Sequence, residues 1–313
     1  MAGHGAGPGP GAGDGLGAED PPENGGSGAP GESGGVPGPG SRTRGIVDAG
    51  GLFERVDFRL REPAPALRAY LEHYWLIDWD LSQPYTSHVV PHPNVHLVFQ
   101  RTEPEAGAEP AEVAEVHGIV QGLFTRRLEG RGRVCGVKFR AGAFRPFAPD
   151  RPVSHWTGRW LPADEVLATP AQGVKPSSAA RGILGPDDED ARIAALDAYL
   201  LPLVPPPDPQ ARLATELAEL ARTDRSLRRV DDLARAGDMS VRSLQRLFSG
   251  QVGVGPKWVI LRHRIHEALQ RAGTDPETDW AALAADLGYS DQAHLVRDFT
   301  STVGVPPAAY AER

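Results

Sequence analysis

The 313-residue sequence predicts an α+β protein in three parts: a disordered glycine- and proline-rich N-terminal tail, a strand-rich domain shaped as a sandwich or small barrel, and an all-helical C-terminal domain. Three observations predict it. Residues 1–45 hold almost no apolar side chains, residues 51–204 carry short alternating runs between proline and glycine turns, and beyond a proline cluster the apolar period becomes helical. The corresponding boundaries are 1–45 for the tail, 46–204 for the strand-rich domain, 205–210 for the linker and 211–313 for the helical domain.

The tail, which begins MAGHGAGPGP, cannot bury enough surface to offset the entropy of ordering its backbone. It has neither the basic start nor the apolar segment of a secretory signal. With no run near the roughly 20 apolar residues that cross a bilayer, a soluble, cytoplasmic protein without a membrane partner is expected. The single cysteine, Cys135, excludes an internal disulfide and any zinc site of several thiolates. No cofactor is expected.

In the second part, Val56, Phe58 and Leu60 alternate with Arg55, Asp57 and Arg59, the period of a half-buried strand. Further strands are expected at 74–79, 89–90, 95–100, 112–120 and 134–140, with a short helix at 66–73. Residues 187–201 read as a helix with Ile193, Leu196 and Leu200 on one stripe. The prolines of LVPPPDPQ then interrupt regular structure and stiffen the chain.

Past the linker, Leu213, Leu217 and Leu220 mark one helix, and Leu227, Val230, Leu233 and Ala234 a second that stops at Gly237, where a left-handed glycine is expected. Ser240 then caps VRSLQRLFS, whose Leu244, Leu247 and Phe248 face inward while Arg242, Gln245, Arg246 and Ser249 face out. Arginine and glutamine presented after a tight turn suit major-groove reading, because they form paired hydrogen bonds to guanine and adenine edges. The layout recurs. Trp280, Leu283, Ala284 and Leu287 form a stripe, Gly288 a turn, and Asp291 a cap for QAHLVRDFT, so that Ser240 aligns with Asp291, Leu244 with Leu295, Arg246 with Arg297 and Phe248 with Phe299. Residues 256–272 supply a connecting helix with Trp258, Leu261, Ile265, Ala268 and Leu269 on one stripe, able to set the two reading helices about one DNA turn, roughly 34 Å, apart.

The stretches DLARAGDMSVRSLQRLFSGQVGVGPKWVILRHRIHEAL and WAALAADLGYSDQAHLVRDFTSTVGVPPAAY resemble the AraC/XylS family of bacterial transcription regulators. The resemblance implies a seven-helix double helix-turn-helix domain that binds double-stranded promoter or operator DNA, preceded by an effector-sensing or dimerising domain. RNA polymerase, a small-molecule effector and a second copy of the chain are the further partners it brings into view. A looser likeness, carried by YLEHYWLIDWD, VVPHPNVHLVF and VCGVKFRAGAFRPF, links the N-terminal part to an uncharacterised sensor-type domain. The DNA-binding residues expected are Ser240, Arg242, Ser243, Gln245 and Arg246 in the first unit and Asp291, Gln292, His294 and Arg297 in the second.

The net charge of −8 argues against a phosphate-binding protein, yet between Arg225 and Arg264 nine basic residues face three acids. From Arg271 to Arg313 three basic residues face seven acids, and the outward positions include Ala293 and Val296, which can touch a thymine methyl but form no hydrogen bond to a base. The first unit is therefore expected to anchor the protein and the second to add weaker discrimination.

The alternative is an enzyme with a DNA-binding appendage, either a metal-dependent barrel using His88, His92, His96 and His117 or a repair-type alkyl acceptor. The acceptor needs a thiolate cluster and an activated nucleophile that Cys135 alone cannot supply. The histidine stretch contains Pro91 and Pro93, so its spacing is not that of a helix face. Trp75, Trp79, Trp156 and Trp160 fall in pairs that suit either a ligand cavity or packing. Trp258, Trp280, Phe248 and Phe299 are expected in the core rather than stacked on bases. No catalytic residue is assigned, and the chain reads as a regulator rather than an enzyme.

Overall fold

A computed structural model describes residues 45–103, 110–167, 173–275 and 277–311. The tail expected at 1–45 lies outside them except for Gly45, whose carbonyl accepts from the Val90 amide at 2.7 Å. Helix α1 (Ala49–Phe53) leads into six antiparallel strands. These are β1 (Val56–Arg61), β2 (Leu71–Val89), β3 (His96–Glu103), β4 (Ala111–His117), β5 (Phe124–Phe139) and β6 (Trp160–Pro162), joined in the single order β1-β2-β5-β3-β4-β6.

The strand-rich expectation holds, with the predicted segments overlapping β1 to β5, although β4 stops at His117, short of the expected residue 120. Residues 66–73 do not form the helix expected of them. A 3-10 turn, Pro65–Leu67, gives way to β2 at Leu71. Leu67 and Leu71 are both fully buried, so their four-residue spacing reflects two inward anchors on either side of a turn.

One sheet face carries Tyr74, Leu76, Leu97, Phe99, Val116, Cys135, Val137 and Phe139. It is covered by α3 (Pro176–Leu184), through Ala180, Ile183 and Leu184, and by α4 (Glu189–Leu200), through Ile193, Leu196 and Leu200. A short helix, α2 (Ala163–Val166), precedes them. The predicted stripe of α4 is in place, but the same helix also buries Arg192, 1% exposed, whose Nη1 donates to Asp78 Oδ2 at 2.9 Å. Arg133 Nε donates to Asp78 at 2.6 Å and Arg59 pairs with the same carboxylate, so one acid on β2 gathers three guanidinium groups and ties α4 to the sheet.

The linker is shorter than its prolines suggest. Asp208 caps α5 (Pro209–Thr223) by accepting from the Gln210 amide at 2.8 Å, so Pro209 and Gln210 already belong to the helix, with proline in the first turn where its missing N–H costs nothing. The remaining helices are α6 (Val230–Ala236), α7 (Val241–Leu247), α8 (Pro256–Thr274), α9 (Trp280–Asp286), α10 (Gln292–Val303) and α11 (Pro307–Ala311).

The core does not stop at the linker. The apolar cluster that fills the covered sheet face continues through Phe144, Val153 and Trp156 to Leu217, Leu233, Leu244, Phe248, Val252 and Val259 of the helical region. A second cluster joins Leu269, Leu283, Leu287, Leu295 and Phe299 to Val47 and Val90. Among the described residues no helix is long and apolar enough to cross a membrane.

Candidate nucleic-acid interface

In the first helix-turn-helix, α6 places Leu233 and Ala234 inward, and the chain reverses before α7. The left-handed residue of this turn is Asp238, at φ 47°, and not Gly237, which sits at φ −91°. Met239 N–H reaches back to the Ala234 carbonyl at 3.0 Å. In the second unit Gly288 (φ 73°) takes the left-handed position and Tyr289 N–H reaches the Ala284 carbonyl at 2.9 Å. Asp238 thus corresponds to Gly288, and the register between the units is 50 residues up to the turn. Ser240 caps α7 by accepting from Ser243 N at 3.1 Å, while Asp291 caps α10 by accepting from His294 N at 2.7 Å, a spacing of 51. Ser290 is the inserted residue.

From the caps onward the repeat holds. Leu244, Phe248, Leu295 and Phe299 are each fully buried. After α7 the chain widens into a π-turn, Phe248–Val252, ended by Gly253 at φ 100°, and α10 ends on Gly304 at φ 85°. Pro256 and Pro307 open the next helices. The connector α8 has 19 residues and so spans about 28 Å.

Arg242, Gln245 and Arg246 are exposed on α7, and Ser249 is exposed in the π-turn that follows it. They line an open cleft of about 470 Å³ with Gly250 and Pro152. Ser240 and Ser243 lie at the helix start with their hydroxyls 3.0 Å apart. On α10, Gln292, Ala293, His294 and Arg297 are exposed. The His294 ring meets Ser290 Oγ at 3.2 Å and the edge of Tyr289. The Asp291 carboxyl is held below its ordinary range by the His294 amide and then by the Ser290 hydroxyl, so it stays anionic at the helix start. A fixed negative charge there opposes a nearby phosphate.

The basic count of the first unit shrinks once partners are assigned. Arg225 pairs with Glu267 and Arg235 with Asp232, and Arg264 donates to the Arg228 carbonyl. Arg262 is buried, its Nη2 donating to the Gln121 carbonyl at 2.6 Å and its guanidinium 4.5 Å over Trp258. Burial pushes it down to about 10. Arg242, Arg246 and Lys257 have no acid partner among the described residues. Phe248 and Phe299 are core, as expected, while Trp258 and Trp280 are half-buried.

The histidines of the N-terminal part go to different places. His88 meets Thr125 Oγ1 at 3.0 Å on the far end of β2, and His92 stacks on His266 of α8 with ring centroids 3.7 Å apart. His96 and His117 are neighbours on β3 and β4. Among the described residues, no three His, Cys, Asp or Glu side chains are placed to hold a metal ion. Cys135 is fully buried, and burial above all pushes its thiol up to about 11, away from nucleophilic thiolate chemistry.

Strand register does create one polar constellation that spacing could not reveal. His73, Lys138, His96, His117 and Trp160 are successive cross-strand partners on β2, β5, β3, β4 and β6, on the sheet face opposite the helices. Trp75 lies across Gly136, where any β-carbon would stand within 1.9 Å of the indole, and its Nε1 donates to His96 Nδ1 at 3.1 Å. The His117 ring stacks on Trp160 at 4.6 Å, and His117 Nε2 lies 3.0 Å from Glu115. Burial above all keeps His73 down to about 4, and it lowers His96 and His117 as well, so all three rings are neutral at pH 7. Although burial pushes Glu72 up, the Lys138 ammonium 3.0 Å away, together with His73 and Arg140, outweighs it and holds the carboxyl at about 2. Trp79 lies over Gly132 on the same face, whereas Trp156 belongs to the helix-covered core.

Two capped helix pairs with an arginine- and glutamine-bearing helix exposed define a DNA-binding domain of the double helix-turn-helix class. Residues 233–313 match the family model described as a helix-turn-helix domain, and residues 59–162 match a domain of unknown function (DUF6597). The chain thus carries a helix-turn-helix domain in its C-terminal part behind a domain family without an assigned role. Among solved structures, the chain shows a distant likeness to ToxT from Vibrio cholerae. One ToxT structure shares 10% identity, covering 82% of this chain and 98% of that one with a TM-score of 0.40. The apo form of a ToxT variant shares 13%, covering 80% and 99% at 0.39. Wild-type ToxT with an unsaturated fatty acid bound also shares 13%, covering 80% and 96% at 0.37. No curated protein matches the chain.

Proposed function

We propose that the protein is a sequence-specific DNA-binding transcription regulator of the AraC type, controlled through its N-terminal domain. The observation that carries this reading is the exposed face of α7, where Arg242, Gln245 and Arg246 stand free of acid partners on a helix fixed by the Ser240 cap and the buried Leu244 and Phe248. Arginine and glutamine on such a face match the donor and acceptor pattern of base edges in the major groove. On α10, Gln292, His294 and Arg297 would read an adjacent groove with less help from charge, since Asp291 stands at the helix start.

Control is supported by the continuity of the core. Because the sheet domain shares one apolar cluster with the first unit and contributes Val47 and Val90 to the second, a change in the sheet domain alters the packing of both. A small-molecule effector would act at the face bearing Trp75, His96, His117 and Trp160, where neutral rings offer both stacking surfaces and hydrogen-bonding nitrogens. Such an effector shifts DNA affinity only by the difference in its own affinity for the DNA-competent and incompetent states. RNA polymerase and a second copy of the chain are further partners in this reading, in a cytoplasmic setting.

The test is selection of duplexes from a random pool by the full-length protein, followed by binding measurements on the selected sequence and a scrambled one. A preference of at least 10³-fold for the selected sequence fits a specific regulator. Equal affinity for both would overturn it.

A further inference from the structure

The cleft beside α7 is not made by the helical domain alone. Pro152, from the segment between β5 and β6, lines it together with Arg242, Gln245, Arg246, Ser249 and Gly250. This segment is fixed against the end of the recognition helix at three points. Ser249 Oγ donates to Ser154 Oγ at 3.2 Å, Thr157 Oγ1 donates to the Gly253 carbonyl at 2.7 Å, and Val153 packs where Gly253 lacks a side chain.

Two arginines belong to the same segment. The Arg145 Nη1 atom lies 3.2 Å from where a β-carbon on Gly250 would stand, which puts this guanidinium beside the cleft wall. Arg151, exposed, directly precedes Pro152. Neither guanidinium has a hydrogen-bond or ion-pair partner among the described residues. The other cations of the segment differ, since Arg159 Nη1 is engaged with the His155 ring at 3.3 Å. One acid, Asp150, is exposed in the same turn.

We infer that the DNA interface extends off the helical domain onto this turn of the sheet domain, with Arg145 and Arg151 taking backbone phosphates beside the groove that α7 reads. The inference rests on the DNA-binding reading above. A helix of seven residues lying in a groove about 12 Å wide brings whatever flanks it close to the phosphate strands. Unpaired guanidinium groups on a rigid support are suited to that position, since phosphate contacts fix register and orientation while base contacts specify sequence. The arrangement also gives the sheet domain a direct hold on DNA affinity, because moving the turn by a few ångströms would withdraw both charges.

The experiment uses the full-length chain and the duplex that the wild type selects from a random pool, with affinity measured across a series of salt concentrations. Arg151→Ala, at an exposed position, should reduce the slope of log K against log salt by about 0.9, and the double variant Arg145→Ala with Arg151→Ala by about twice that, each charge removed releasing one counterion fewer. The sequence selected should not change, whereas Arg246→Ala should alter it. Slopes equal to wild type in the single and the double variant would overturn the inference and leave the DNA-binding reading standing. Tighter binding by either variant would also overturn it, by showing that the turn shields the helix. A wild type that selects no duplex would instead remove the reading beneath it.

Discussion

Arg246 and Arg297 occupy matching places in the two units, yet their surroundings differ. Arg246 has no acid beside it, while Arg297 follows the anionic Asp291 cap by six residues and lies in a region where acids outnumber bases. Replacing Arg246 by alanine should cost about 1–3 kcal/mol of operator binding if it pairs with a guanine. Arg297→Ala should cost less in the same assay, and equal losses would contradict the ranking. Asp78 is the stability counterpart. Burial pushes its carboxyl up, but hydrogen bonds from Arg133 and Arg192 outweigh burial and leave it below the ordinary value. Asp78→Ala would leave the buried Arg192 without its counter-charge and should destabilise the fold by about 3 kcal/mol in denaturant unfolding. These residues were unequally legible in the sequence. The faces of α7 and α10 follow from helical period and caps, whereas the burial of Arg192, Arg262 and His266 comes from long-range contacts that no local pattern encodes.

At the level of elements, the π-turn between α7 and α8 depends on Gly253. Its φ of 100° is strained for any other residue, and a β-carbon there would stand 2.8 Å from Val153 and 3.1 Å from Thr157 Oγ1. Gly253→Ala should therefore cost about 1–3 kcal/mol of stability. It should also weaken DNA binding, read by thermal melts and the duplex assay together, because the displaced turn carries the end of the recognition helix. The row across β2, β5, β3, β4 and β6 makes a pH-dependent element. His73 has its folded value near 4, below the usual imidazole value of 6.5, because it is buried near Lys138 and Arg140 despite the adjacent Glu72. The unfolded chain binds more protons in that interval, so the stability that neutral His73 contributes is complete above pH 6.5 and is lost as pH falls toward 4. The midpoint of thermal unfolding should drop over this window, and His73→Gln should flatten the drop. The internal repeat was readable from the caps and apolar positions, but the inserted Ser290 was not. Only the backbone shows that Asp238, and not Gly237, matches Gly288, since an aspartate in the left-handed region is not what the residue types lead one to expect.

For the molecule as a whole, the prolines at 205–207 suggested two bodies on a stiff tether, and the strand and helix periods on either side were legible apart from the helix expected at 66–73. What they could not show is that the two bodies share their cores. Hydrophobic periodicity reports that a face is buried, not what covers it. An isolated 209–313 fragment loses the sheet-domain members of both apolar clusters, among them Phe144, Val153 and Trp156 from the first and Val47 and Val90 from the second. It should unfold at lower denaturant than the full chain and bind a hydrophobic dye, outcomes checked by equilibrium unfolding and dye fluorescence. A fragment as stable as the full chain would mean that the shared clusters contribute little.

The fused core also limits how this protein can be recombined. Exchanging its helical half for that of another regulator, with the crossover at the proline stretch, would set an unmatched surface against Val47, Val90, Val153 and Trp156. A working chimera would have to import those four positions, and the segment around residue 150, along with the donor helices.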